Sequence, residues 1–210
     1  MGIVPTDMST GHYIVFEGAE GCGKSTHAAR LAADLDAVLT RETGGTAIGQ
    51  RIRDILHDTS VTDLAPRAEA LLTAADRAQH IAQVVAPALA AGRHVVSDRS
   101  VYSALAYQGF ARSQSVDEVR RINEWAVDGH WPHLVLLIDV EPELLEQRMR
   151  KREHLDRFEQ EDVEFHARVR AGYHRMAAAE PDLFVVIDGS GDKDLVANTV
   201  RAAVRERLGI

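Results

Sequence analysis

Apolar residues recur along this chain in short continuous runs: Tyr13-Phe16, Ala37-Leu39, His94-Val96, Leu134-Ile138 and Leu183-Ile187. Sequence of helical character separates each run from the next. Continuous runs belong to strands buried on both faces, so the alternation predicts an α/β fold, a five-stranded parallel sheet with helices on both faces. Ligands of such sheets bind beyond the carboxyl ends of the strands. The residues just after each run are therefore informative. A glycine-rich stretch comes after the first, Thr40-Arg41-Glu42-Thr43-Gly44-Gly45-Thr46 after the second, Asp98-Arg99-Ser100 after the third, Asp139 after the fourth and Asp188-Gly189 after the fifth.

Between the strands, Ile48, Ile52, Ile55 and Leu56 give a helix one apolar side, with Arg53 off it. Asp63-Leu64-Ala65-Pro66 reads as a helix start, with proline early in the first turn, where its missing N–H costs nothing. A long helix follows to about Ala91. Leu72, Ala75, Ile81, Val84, Val85, Ala88 and Leu89 can face the core, while Thr73, Asp76, Arg77 and His80 recur at i, i+3, i+4 and i+7. Such a stripe is ordinarily a solvated face with internal charge pairs. The sharper alternative turns Arg77 into a cleft. Residues 98–110 are short and partly helical, and bring Arg99, Ser103, Tyr107 and Gln108 near a strand end. Ser115 to Asp128 forms another helix, with Asp117 and Glu118 favouring its N-terminus. Pro142 opens a helix that runs into the most charged segment, Arg148 to Arg157.

The first run leads into FEGAEGCGKST, Phe16 to Thr26. Gly18, four intervening residues, Gly23, Lys24 and Ser25 match the phosphate-cradling loop between a strand and a helix. A polyphosphate needs many donors close together, and Gly18, Gly21 and Gly23 remove side chains that would hold the backbone away. The backbone N–H groups then point inward, and the positive end of the following helix adds to their field. Lys24 would reach the β- and γ-phosphates, and the Ser25 hydroxyl would ligate Mg²⁺. Beside such a loop, arginines on a mobile segment can close over the phosphates and stabilise transferring charge. A lid at about 148–160 is expected on that ground, against the plainer reading of a charged helix surface.

Composition narrows the class. The 210 residues suit one domain, with 12–210 as the folded unit and 1–11 as a flexible tail, and a 45% hydrophobic share supports a sizeable core. Lys and Arg total 24 against 32 Asp and Glu, and the net charge of −8 offers no general attraction to nucleic acid or anionic membrane. Any anion site must be built locally. Cys22 is the only cysteine, which excludes an internal disulfide and fits a reducing, cytoplasmic compartment. No apolar run approaches the length needed to span a bilayer. Met1-Gly2 with Thr6 matches the bare myristoylation pattern, but no polybasic patch supplies the second signal that stable anchoring requires.

FEGAEGCGKST, TRETGGT, AADRAQH, SDRS, ALAYQGFAR and HLDRFE occur in the order and spacing of one family. From Tyr13 to about Gly189 the chain resembles the bacterial thymidylate kinases, P-loop nucleoside monophosphate kinases that phosphorylate dTMP to dTDP with ATP. The resemblance implies roles residue by residue. Gly18, Ala19, Glu20, Gly21, Cys22, Gly23, Lys24, Ser25 and Thr26 would bind ATP, with Glu20 also contacting the acceptor sugar 3′-hydroxyl. Arg53 and Arg99 would hold the acceptor phosphate, with Asp98 beside the metal and its waters. Arg77 and Gln108 would read the thymine edge, Thr73 and Ser103 would line the dTMP pocket, and Tyr107 would crowd the 2′ position. The glycine loop carries no arginine, so lid arginines would serve catalysis, with Arg148, Arg150 and Arg152 as candidates. Similar enzymes are homodimers packed through long helices.

Four positions depart from the family pattern. Thr43 stands where proline is usual, Thr73 where a large apolar residue often packs on the base, Ser100 where an aromatic often follows Asp-Arg, and Ala104 where a hydroxyl or amide is common. All fall on the acceptor side, so the alternative is a kinase of another nucleoside monophosphate or a deoxynucleoside. A different class, an ATP-hydrolysing switch module, leaves the AYQG and lid segments without a role. The expected chemistry is in-line γ-phosphoryl transfer to an acceptor phosphate that is already anionic near neutral pH. No side-chain general base is required. Lys24, Arg99, the lid arginines and Mg²⁺ would hold two mutually repelling phosphates together.

Overall fold

The first apolar run lies at the centre of the sheet. In the computed structural model, which describes residues 11–150 and 154–210, β1 (Tyr13–Glu17) is buried along its whole length. β3 (Val95–Asp98) and β4 (Leu134–Asp139) flank it, with β2 (Val38–Arg41) outside β3 and β5 (Phe184–Asp188) outside β4. All pairings are parallel. Successive side chains of a strand point to opposite faces. Tyr13, Val15, Val135 and Leu137 thus enter one core, and Ile14, Phe16, Leu134, Leu136 and Ile138 the other. Both faces of the three central strands are covered, which is why their runs are continuous, while Leu39 of β2 and Val186 of β5 are exposed at the edges.

The register aligns Phe16 with Asp98 and with Leu136, so the chain leaves β1 and β3 side by side at one edge. From β1 it enters the glycine loop and α1 (Lys24–Asp34), which lies on the Phe16 face together with α9 (Lys193–Leu208). The other face receives Leu56 of α2 (Ala47–His57), Val119 and Val127 of α6 (Val116–Val127), and Phe165, Val169 and Tyr173 of α8 (Val163–Ala179). Caps mark several starts: Thr46 Oγ1 accepts from Gly49 N–H at 2.9 Å and Asp162 Oδ1 from Phe165 N–H at 2.6 Å.

The long helix predicted to Ala91 is a continuous rod with a wider turn inside it. α3 (Pro66–His80) passes through a π-helical turn, Ile81–Val85, into α4 (Ala86–Ala90). Pro87 lies just beyond that turn; it has no N–H to give, and its ring crowds the carbonyl four residues back. A second π-helical stretch, Leu105–Ala111, follows α5 (Val101–Ala104).

Three expectations change. The polar stripe of α3 is not solvated: Thr73, Asp76, Arg77 and His80 are all buried, while Leu71 and Ala75 are exposed. In α2, only Leu56 of the predicted apolar side is fully buried, and Ile48 and Ile55 face outward. Of the expected tail, residues 1–10 lie outside the described ones, and Gly11 is buried, with Arg93 O 2.1 Å from the place a Cβ would take. α7 (Pro142–Met149) runs into the start of the segment expected as a lid at about 148–160, of which residues 151–153 lie outside the described ones. No described helix is long and apolar enough to cross a membrane.

Candidate active site

The carboxyl ends of β1, β2 and β3 open into a pocket of about 340 Å³. On one side lies the glycine loop, where Gly18, Gly21 and Gly23 adopt φ of 142°, 77° and 101°. Side chains rarely accept that region, and it turns the loop tightly onto α1. Lys24 leaves the first turn of α1 and is held low in the loop, its Nζ 2.9 Å from Ala19 O and 3.9 Å from Glu20 Oε2. Cys22 is buried in the loop with its Sγ 4.0 Å from Lys24 Nζ. Ser25 Oγ donates to Asp98 Oδ2, which joins the loop to the end of β3.

Arg99 is the hub of the opposite wall. Its guanidinium pairs with Glu20 and reaches Ser103 Oγ at 3.0 Å, Tyr107 Oη at 3.1 Å and Tyr173 Oη at 3.3 Å. Its backbone has φ 75°, a strained value for a residue with a side chain, and its N–H is fixed by Phe16 O at 2.9 Å. Burial alone would raise the Glu20 carboxyl pKa, but Arg99 and Lys24 beside it hold it well below the usual range.

Beneath Arg99 lies Glu17, which is completely buried. Its carboxylate accepts from Ser100 Oγ at 2.7 Å, Ser103 Oγ at 2.6 Å and Tyr173 Oη at 2.8 Å. Burial pushes its pKa up, with Arg99 and the hydroxyls acting against that rise.

The buried stripe of α3 forms the floor. Arg77 Nε lies 2.8 Å from Glu42 Oε2 at ion-pair distance, with the N–H not aimed along the contact. Its Nη1 donates to Asn123 Oδ1 and its Nη2 to Ser100 O at 3.0 Å. A guanidinium has five N–H groups, of which Nη1 and Nη2 each give one here, and Arg77 lines the pocket. Thr73 Oγ1 turns back to Ala70 O at 2.8 Å, and Gln108 Nε2 is held by Glu69 Oε1 at 2.9 Å.

The structure therefore gathers Glu20, Lys24, Ser25, Arg53, Thr73, Arg77, Asp98, Arg99, Ser103, Tyr107 and Gln108 around one pocket. Arg150 is not brought there: it is 74% exposed and pairs with Glu146, one helical turn earlier, at 2.7 Å. Arg152 lies outside the described residues. Arg148 reaches the back of the glycine loop, with Nη1 3.3 Å from Gly21 O and Nη2 3.1 Å from Gly189 O. Sequence reasoning missed Glu17, Glu42, His57, Asn123, Asp156, Phe158 and Tyr173. A charged residue closing a continuous apolar strand was the available signal for Glu17.

The model for the thymidylate kinase family matches residues 16–200. The chain belongs to the thymidylate kinase family. It is 42% identical over 205 residues to the thymidylate kinase of Geobacillus thermodenitrificans, covering 94% of this chain and 91% of that one. To the thymidylate kinase of Solidesulfovibrio magneticus it is 44% identical over 208 residues, covering 93% and 100%. Its fold is similar to the crystal structure of thymidylate kinase from Ehrlichia chaffeensis, with TM-score 0.77, 28% identity, and coverage of 93% and 98%. Membership makes the chain a nucleotide kinase with ATP as co-substrate. The site agrees with that chemistry, since a phosphate loop and a cluster of arginines face each other across one pocket.

Proposed function

We propose that this thymidylate kinase transfers the γ-phosphoryl group of ATP to the 5′-phosphate of dTMP, giving dTDP for deoxynucleotide synthesis in the cytoplasm. The observation that carries the reading is the meeting, in one pocket, of Lys24 and Ser25 of the glycine loop with Arg53, Arg77 and Arg99. Lys24 and the loop N–H groups bind the donor polyphosphate, and Arg53 and Arg99 bind the acceptor phosphate. Placing both anions in line is the catalytic task, and fixed positive charge does most of it. Arg99 also orients Glu20 toward the acceptor sugar, while Arg77, held from behind by Glu42 and Asn123, presents its remaining N–H groups to the base. The packing of Tyr107 against Arg99 supports its place beside the sugar, with the guanidinium carbon 5.0 Å from the ring centroid.

A hydroxyl and a carboxylate suit Mg²⁺, a hard cation bound by few protein oxygens plus substrate phosphates. Asp98 Oδ1 is buried without a hydrogen-bond partner, which fits such a role. Ser25 and Asp98 would hold the ion, which would supply positive charge against the phosphates. Arg148, Arg150 and Arg152 remain the candidates for a lid arginine at about 148–160.

A homodimer through α2, α3 and α6 is part of the same reading. Ile48 (53% exposed), Ile55 (47%), Leu71 (56%) and Trp125 (87%) on those helices are large apolar side chains left in water, which supports it. Light scattering on the purified chain tests this, and a monomer at micromolar concentration would contradict it.

Thr73 and Ala104, both lining the pocket, favour one rival reading, a shifted choice of monophosphate acceptor. Incubation with Mg-ATP and dTMP, followed by separation of nucleotides, tests the proposal. Equimolar dTDP and ADP are expected, and ADP without dTDP would overturn it.

A further inference from the structure

We infer that His57 is a positioning residue for the acceptor side of the pocket: it fastens the turn Asp156–Glu159, a wall contributed from far along the chain, to the last turn of α2. The acceptor's identity rests on the dTMP reading above. His57 Nδ1 and Asp156 Oδ2 are 2.7 Å apart, both side chains being mostly buried. The His57 ring also meets Phe158 edge-on, with centroids 5.2 Å apart. His57, Asp156 and Phe158 line the same pocket as Glu20, Arg53 and Arg99.

Local bonds shape this turn but do not attach it. Asp156 Oδ1 accepts from the N–H groups of Phe158 at 2.9 Å and Glu159 at 3.0 Å, an aspartate folding its own backbone. Attachment comes from outside. Arg157 Nε donates to Leu56 O at 2.8 Å, Arg157 Nη2 to Glu69 Oε2 at 2.7 Å, and Arg157 N–H approaches His57 O at 3.4 Å. Two of these three bonds use main-chain carbonyls that any residue at 56 or 57 would supply. The imidazole is different, because it grips Asp156 and Phe158 through its own ring.

The ring's surroundings agree with this role. With Nδ1–H given to Asp156, Nε2 lies 3.5 Å from Thr43 Oγ1, and Thr43 in turn receives Arg53 Nη1 on its carbonyl at 3.2 Å. His57 thus joins the turn to the segment after β2 as well as to α2. Glu20, Arg41, Arg53 and Glu159 are charged groups that line the pocket beside His57 and Asp156, and Arg157 lies on the turn itself. Burial is the largest single influence and would raise the Asp156 carboxyl pKa, but the bond from His57 and the Glu159 N–H together act against it and the pKa comes out below the usual range.

The test is steady-state kinetics on the full chain as wild type, His57→Leu and His57→Asn, varying dTMP and Mg-ATP separately. Leucine keeps bulk without a donor, whereas asparagine places a side-chain N–H where Nδ1–H stands. His57→Leu is expected to lower kcat/KM for dTMP about tenfold, the size of one lost charge-assisted hydrogen bond, with the ATP KM within about twofold of wild type. His57→Asn should recover most of that loss. No loss in the leucine variant, equal loss in both variants, or equal shifts for both substrates would overturn the inference. Wild-type turnover of another monophosphate in place of dTMP would instead overturn the acceptor assignment, and the same comparison is then read on that acceptor.

Discussion

Arg77 Nε and Glu42 Oε2 lie 2.8 Å apart with their side chains 3% and 2% exposed. Charges so far from water are costly unless they are paired. Here His80 Nδ1 reaches Glu42 Oε1 at 2.9 Å, Asn123 and Ser100 O take the guanidinium, and Asp76 Oδ1 accepts from Gly44 N–H at 3.0 Å. Thr73 and Arg77 of the α3 stripe thus line the pocket, with Asp76 and His80 buried behind them.

Arg77→Ala would leave Glu42 buried with only His80 beside it. Breaking one partner out of a buried pair costs about 3–5 kcal/mol. Urea unfolding is expected to show a loss of that size together with a raised dTMP KM. A loss below about 1 kcal/mol, the scale of an exposed pair, would contradict the reading of a buried pair.

Gly49→Ala tests the packing of α2 on α3. A Cβ at Gly49 would sit 2.2 Å from Asp76 Oδ1 and 3.0 Å from Thr46 Oγ1. Asp76 is fully buried and fixed by Gly44, so it cannot step aside. Overpacking of this kind costs about 1–3 kcal/mol, and thermal unfolding should show it. An unchanged Tm would mean that the two helices are farther apart.

Glu69 carries a pH prediction. It is buried, which alone would raise its pKa, yet Gln108, Arg112 and Arg157 surround it and bring the pKa below the ordinary value. A carboxylate depressed in the folded state adds stability above its unfolded pKa of about 4.3, and loses it as pH falls through the folded value. Glu69→Gln should therefore be less stable than wild type at pH 7, with the gap closing below about pH 4.3. A gap that stays constant from pH 7 to pH 3 would show that the charge is not what matters.

The strands and the glycine loop were legible because their signals are local. A continuous apolar run marks a strand locally, with both faces buried in the central strands and Leu39 and Val186 exposed on the edge strands, and a phosphate loop is written in adjacent residues. Periodicity in α3 correctly placed Thr73, Asp76, Arg77 and His80 on one face, but it cannot say whether water or protein lies opposite. The rest of the pocket depends on partners distant in sequence: Tyr173 meets Glu17 across 156 positions, and His57 meets Asp156 across 99. No spacing rule reaches so far. Arg150 had a local signal pointing outward, since Glu146 at i−4 offers a surface pair.

Lys24→Ala tests the glycine loop. Removing a donor aimed at developing charge costs about 100- to 1,000-fold in kcat. That loss is expected with the circular dichroism spectrum retained. A turnover number within about twofold of wild type would place phosphate binding elsewhere.

The most direct measurement is kcat/KM for ADP formation from Mg-ATP with dTMP, dUMP, dCMP, dGMP, dAMP, ribose TMP and no acceptor, run on one preparation. A thymidylate kinase with this pocket should favour dTMP over every other acceptor, with little ADP in the blank. Equal rates across the panel, or ADP formed as fast without acceptor, would contradict that assignment.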